Sequence, residues 1–191
     1  MEVVLRDSIT GSMTDKEFFK FCLENRNLRI ERNNKLEIII MSPVSSLSSL
    51  HSSEIFFQLA NWSRMDKRGL VFDYSTGFTL PDRSVLSPDA SWMSLEKWNG
   101  LTREDQDKFA PVCPDFIIEV RSKSDDLEYL KEKMFLWVKN GAQLAWLIDP
   151  RGKTAFIFRP GKQVEDLRHF TSMKGEGPVK GFELDLTALK V

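Results

Sequence analysis

The stretch Pro114-Asp115-Phe116-Ile117-Ile118-Glu119-Val120-Arg121 decides how this chain reads. Successive side chains of a strand point to opposite faces. Asp115, Ile117, Glu119 and Arg121 therefore share one face, and Phe116, Ile118 and Val120 share the other. A carboxylate in the middle of an apolar strand is costly to bury unless it is paired or binds a metal. The plain alternative to a metal is a structural salt bridge, with Arg121 as a candidate partner of Glu119.

Towards the C-terminus, the pattern predicts a helix over 124–140, with Gly141 placed at its C′ position. The apolar run Ala142 to Asp149 then reads as a buried strand. Pro150-Arg151-Gly152-Lys153 turns into an antiparallel strand from Thr154 to Arg159, and Gly181 to Leu186 reads as one more strand or edge segment. At about 100° per residue, Lys133 falls between Leu130 and Trp137, on the apolar stripe with Met134. Glu128, Lys131, Glu132 and Lys139 lie towards the other side. A lysine aimed inward needs an acceptor, and Glu119 or a phosphate would serve. A lysine snorkelling at the stripe edge is the simpler alternative.

Towards the N-terminus stands Ser87-Pro88-Asp89-Ala90-Ser91-Trp92, read as a strand carrying Asp89, or as an ordinary Pro-Asp turn. Two acids brought close repel by roughly 3–4 kcal/mol at an effective dielectric near 20. A divalent ion removes that repulsion, and carboxylates are the donors Mg²⁺ prefers. Short strands are expected at Val71 to Tyr74 and Phe78 to Leu80. A helix is expected from the Ser-rich segment at Ser45 to about Arg64, with Leu47, Leu50, Ile55, Leu59 and Trp62 as its apolar positions. Glu54 shares a face of that helix with Leu50, Phe57, Gln58 and Asn61, a face that either lines a cleft or is half exposed. Thr14-Asp15-Lys16-Glu17 has capping-box spacing. Leu28 to Met41 reads as a β-hairpin turning at Asn33-Asn34, the Asn pair supplying the positive φ of a tight turn. Residues 94–108 read as surface helix and loop, with Thr102 as a cap. This order of elements predicts an α/β (α+β) fold, a mixed central sheet flanked by helices with an N-terminal helix and hairpin.

With 191 residues, 41% of them hydrophobic and 29% charged, the chain has the composition of a single globular domain spanning 1–191. No apolar run is long enough to span a bilayer. Cys22 and Cys113 lack metal-ligand spacing and read as two buried thiols of a cytoplasmic protein. A net charge of −1 and a pI near 6.2 argue mildly against a general nucleic-acid coat protein, though a metal can supply the positive charge a phosphate site needs. With only His51 and His169, no zinc set or clear catalytic triad emerges. The Trp and Phe residues fall at core spacing.

At Asp89, Glu119 and Lys133 the chain resembles the Uma-type restriction endonuclease family, within the PD-(D/E)xK nuclease superfamily. The likeness runs through Gly77 to Pro81, Ser87 to Trp92, Pro114 to Ser122, Glu132-Lys133-Met134, Trp146 to Pro150 and Gly181 to Leu186. It implies a restriction-endonuclease-like core and divalent-metal-dependent cleavage of phosphodiester bonds. Asp89 and Glu119 would be the metal-binding acids, with the Val120 carbonyl a further ligand. Glu54 matches the helix-borne acid of many superfamily members. The chain departs from the superfamily pattern at the last position of Glu-x-Lys, where Arg121 stands. Arg cannot readily act as a base, so the lysine role passes to Lys133, with Lys123 as second candidate.

The resulting expectation is a Mg²⁺- or Mn²⁺-dependent endonuclease acting on DNA. Lys133 would position or help deprotonate the attacking water, Glu54 would assist, and Arg121 would contact the scissile phosphate or pair with one of the acids. A homodimer would allow both strands to be cut. The rival expectation is a non-catalytic nucleic-acid or protein-binding module that retains the nuclease fold.

Overall fold

The computed structural model describes residues 2–5 and 13–189. In chain order its elements begin with β1 (Glu2–Leu5), α1 (Asp15–Glu24), β2 (Arg29–Arg32), β3 (Ile38–Met41) and α2 (Ser46–Asp66). Next come β4 (Gly69–Asp73), β5 (Phe78–Thr79), β6 (Val85–Leu86), β7 (Ala90–Ser94), α3 (Leu95–Asn99) and α4 (Arg103–Gln106). The remainder comprises β8 (Phe116–Val120), α5 (Leu127–Lys139), β9 (Leu144–Asp149), β10 (Thr154–Phe158), β11 (Glu165–Arg168), β12 (Ser172–Lys174) and β13 (Glu183–Asp185).

The central sheet is mixed, in the order β11-β10-β9-β8-β7-β4. Its one parallel pair is β8 with β9, in a register that sets Val120 opposite Ile148. Parallel neighbours need a crossover, and α5 lies within it. Every residue of β8 and of β9 is buried. The alternation read in the sequence sorts them between two cores. Phe116, Ile118 and Val120 pack with Ile55 and Leu59 of α2, and with Trp146 and Ile148. Ile117 packs with Leu130, Met134 and Trp137 of α5, and with Ala145 and Leu147.

The hairpin strands β2 and β3 belong to a second, antiparallel sheet in the order β1-β3-β2-β6-β5, rather than forming an appendage. This sheet covers a small core of Phe18, Ile30, Ile38 and Val85. The hairpin turn also differs from the expectation. The positive φ falls on Leu36 (64°), not on the Asn pair. Asn33 closes the loop instead. Its carbonyl accepts from Leu36 N, and its side-chain oxygen accepts from the amides of Lys35 and Glu37. That is a three-residue loop, a tight turn followed by one left-handed residue.

The expected caps are present. Thr14 and Glu17 form the capping box, Thr102 caps α4, and Gly141 follows α5 with φ +121°. Strand β7 starts at Ala90, so Asp89 stands just before it instead of on it. Pro88 has no N–H to give a ladder, which delays the strand. The strands β1, β6, β11 and β12 were not expected from the sequence. Leu47 and Leu50 of α2, along with Phe57 and Phe135, prove exposed instead of core, and Cys22 is only half-buried. Among the described residues, no helix is long and apolar enough to cross a membrane.

Candidate active site

Four segments converge at the end of β8. Register along β7 and β8 pairs Ala90 with Ile118. One more step sets Asp89 opposite Glu119. Asp89 Oδ2 accepts from the Val120 amide at 2.8 Å, which ties the turn before β7 to the strand carrying Glu119. From α5, Lys133 points inward as its place on the stripe predicts, and is 9% exposed. Its ammonium lies 2.9 Å from Glu119 Oε1 and 3.0 Å from Glu31 Oε1. Trp137, one turn further along α5, donates Nε1–H to the same Glu119 oxygen at 3.3 Å.

Glu31 is the site residue that sequence reasoning missed. It sits on β2, 2% exposed, and besides pairing with Lys133 it accepts from the Ser87 amide at 2.9 Å. A strand reading Arg29-Ile30-Glu31-Arg32, with one apolar residue in four, looks like a solvated hairpin edge. Both Glu31 and Arg32 are nonetheless buried. The signal available was alternation, since Arg29 and Glu31 necessarily share a face. Arg29 donates Nη2–H to the Ser87 carbonyl at 3.0 Å and stacks on the Tyr74 ring at 5.6 Å.

Burial raises the pKa of Asp89, against the Val120 amide and the charges of Arg29 and Lys133, which pull it down. Burial likewise pushes Glu119 up to about 7. The Lys133 charge opposes this rise, while the negative charges of Asp89 and Glu31 add to it. For Lys133 burial works against the charged form, but the two flanking glutamates outweigh it and hold its pKa above the ordinary lysine value. Its side chain is therefore an ammonium throughout the physiological range.

The remaining expected residues lie apart from this cluster. Arg121 pairs with Asp149 Oδ2 at 2.8 Å and donates Nε–H to the Asp125 carbonyl, so it partners neither Glu119 nor Asp89. Glu54 is half-buried on α2 and accepts from Gln58 at 3.0 Å. Its neighbours Leu50 and Phe57 are exposed, so this face of α2 turns outward. Lys123 is exposed. No group of three or more His, Cys, Asp or Glu side chains suited to a metal occurs among the described residues. Two carboxylates are nevertheless enough for Mg²⁺, which keeps several waters and takes one or two acids. Asp89 Oδ1 and Glu119 Oε2 make no hydrogen bond to a described residue, so each acid retains an oxygen for an ion.

A family model described as "Putative restriction endonuclease", Uma2, matches residues 15–187. The chain belongs to the Uma2 family. Its fold agrees with the crystal structure of a "putative nuclease belonging to DUF820" from Anabaena variabilis ATCC 29413. The two share 23% identity at a TM-score of 0.74, over 93% of this chain and 97% of that one. At that identity the likeness bears on the fold, here the restriction-endonuclease-like mixed sheet flanked by helices. No curated protein matches the chain. For a Uma2 member, Asp89, Glu119 and Lys133 are the residues at which the family resemblance in the sequence and the convergence in space coincide.

Proposed function

We propose that this protein is a Mg²⁺- or Mn²⁺-dependent endonuclease that hydrolyses phosphodiester bonds of DNA. The observation that carries this reading is the cluster of Asp89, on the turn before β7, and Glu119, on the adjoining β8, with a buried lysine against Glu119. Asp89 and Glu119 would hold the ion, with the Val120 carbonyl as a further donor. The ion would supply Lewis acidity and a lowered pKa for water. Lys133 acts as a donor, because two carboxylates keep it protonated. It orients the attacking water and offsets charge that builds on the phosphoryl oxygens. Glu31 fixes the lysine, and Trp137 fixes the Glu119 carboxylate. Arg121 and Glu54 take no direct step in this reading, since each is engaged elsewhere. The free thiols Cys22 and Cys113 fit a reducing, cytoplasmic setting. Pairing of two copies would let the enzyme cut both strands.

The test is conversion of supercoiled plasmid to nicked circles with Mg²⁺, Mn²⁺ or EDTA. Wild type should nick with metal and not with EDTA, and Asp89→Asn and Lys133→Ala should both fail while remaining folded. Asp89→Asn at wild-type rate would remove the site from this reading. A wild type that neither cuts nor binds metal would favour the non-catalytic module.

A further inference from the structure

We propose that Arg29, stacked on Tyr74 at the edge of the acid cluster, grips a phosphate of the nucleic-acid backbone beside the metal-binding acids. The inference rests on the nuclease reading and names the anion contact that reading lacks, since Arg121 is committed to Asp149.

The arginines of this region differ in how fully their donors are used. Arg32, three residues along β2 and on the opposite face, is wholly buried. It donates to the carbonyls of Arg83 and Met13 and pairs with Asp15. Arg121 has its carboxylate and its carbonyl. Among the described residues Arg29 makes one hydrogen bond, to the Ser87 carbonyl, and pairs with no carboxylate. Its Nε is buried without a partner. Its Nη1 makes no hydrogen bond to a described residue. A guanidinium with unused donors and no carboxylate of the described residues in contact is poised for an external oxyanion, and its planar fork matches phosphate.

The surroundings fit the same ligand. The Ser87 carbonyl that Arg29 holds is two residues from Asp89, so the guanidinium sits beside the acids. Tyr74 is 56% exposed, with its ring on the guanidinium. An exposed ring over an arginine at the rim of an acidic pocket offers a surface on which a sugar or base can stack.

The test measures binding of a fluorescein-labelled DNA duplex by anisotropy. Ca²⁺ replaces Mg²⁺, gels check that no cleavage occurs, and melting curves check that each variant is folded. Arg29→Gln should weaken binding about 10- to 100-fold, the scale of a lost charge-assisted contact. It should also flatten the slope of log affinity against log salt by about 0.9, one phosphate's worth. Arg29→Lys should restore the slope but only part of the affinity, because an ammonium cannot bind in two-pronged fashion. If wild type binds and both variants match it in affinity and slope, the inference fails and the nuclease reading stands. Lowered stability with an unchanged slope would likewise overturn it, leaving Arg29 as a brace for the Ser87 carbonyl. A wild type that binds no DNA at all brings down the nuclease reading and this inference together.

Discussion

Replacing Lys133 by Met keeps the length of the side chain and removes the ammonium from between Glu31 and Glu119. The two contacts are 3.0 and 2.9 Å, and the lysine is 9% exposed, so solvent screens them little. Without the ammonium, carboxylates that are 2% and 4% exposed stay behind in the core. Deleting one partner of a buried ion pair costs about 3–5 kcal/mol. The protein can relieve part of this by protonating Glu119, whose pKa already stands at about 7 with the lysine present and rises further without it. A carboxyl whose folded pKa exceeds its unfolded value binds more protons when folded. Its stabilising protonation is complete at low pH and is lost as pH rises through the folded pKa. The variant's deficit relative to wild type should therefore be largest near pH 9. It should contract by up to about 1.4 kcal/mol per unit as pH falls towards 7, then level off once Glu119 is protonated in both proteins. Urea unfolding of Lys133→Met in EDTA, followed by tryptophan fluorescence at pH 9, 8, 7 and 6, measures this directly. A variant as stable as wild type at pH 9, or a deficit that does not change between pH 9 and 6, would refute the view that Lys133 neutralises buried carboxylates.

The other expectations concern the partners of that pair. Glu31→Ala strips both Lys133 and the Ser87 amide of an acceptor and should cost about 3 kcal/mol or more in urea unfolding, whereas Glu31→Gln keeps an acceptor for the amide and should cost less. Equal losses would remove the Ser87 bond from the account. Arg121→Ala breaks the pair with Asp149, which is 8% exposed, and should cost about 1–3 kcal/mol while plasmid nicking by the folded variant stays within a few-fold of wild type. A hundred-fold loss of nicking at unchanged stability would return Arg121 to the phosphate. Since burial raises Glu119 to about 7 and it must give up its proton to hold an ion, Mn²⁺ binding should release more protons at pH 6 than at pH 8. Calorimetry in buffers of different ionisation heat reads this number, and a pH-independent release would exclude Glu119 as the titrating ligand.

The parts of this fold legible in sequence were those that alternation and helical period control. The strand at Phe116–Val120, the buried Lys133 stripe, the Thr14 capping box and the apolar strand after Gly141 follow from local rules, and the structure shows each of them. The second sheet was not legible, because β6 is two residues long and joins β2 through a single register pair, Arg32 with Val85. No local pattern announces such a partner. Glu31 went unnoticed for the same reason. Its burial depends on β2 being sandwiched within that sheet, while its own strand has the charge content of an edge. Arg121 was legible as the departure from Glu-x-Lys, but its partner Asp149 lies across a strand pair that only the β8–β9 register brings into reach.

This second sheet changes what holds the site in shape. Asp89 sits on a short turn between β6 and β7, and such a turn would leave the acid we propose as a metal ligand poorly fixed. Here the turn is gripped on both sides. Glu31 takes the Ser87 amide, Arg29 takes the Ser87 carbonyl, and the Val120 amide takes Asp89 itself. Two of these three bonds come from β2, and the same Glu31 also anchors Lys133. One strand of the hairpin sheet thus fixes the acid from one side of the site and the cation from the other. A reacting constellation must be held to within about half an ångström by groups that are themselves locked. The central sheet supplies Glu119 and the helix supplies Lys133. The alternating Arg29 and Glu31 of β2 set the distance between that pair and Asp89, and this makes the hairpin part of the catalytic apparatus we propose.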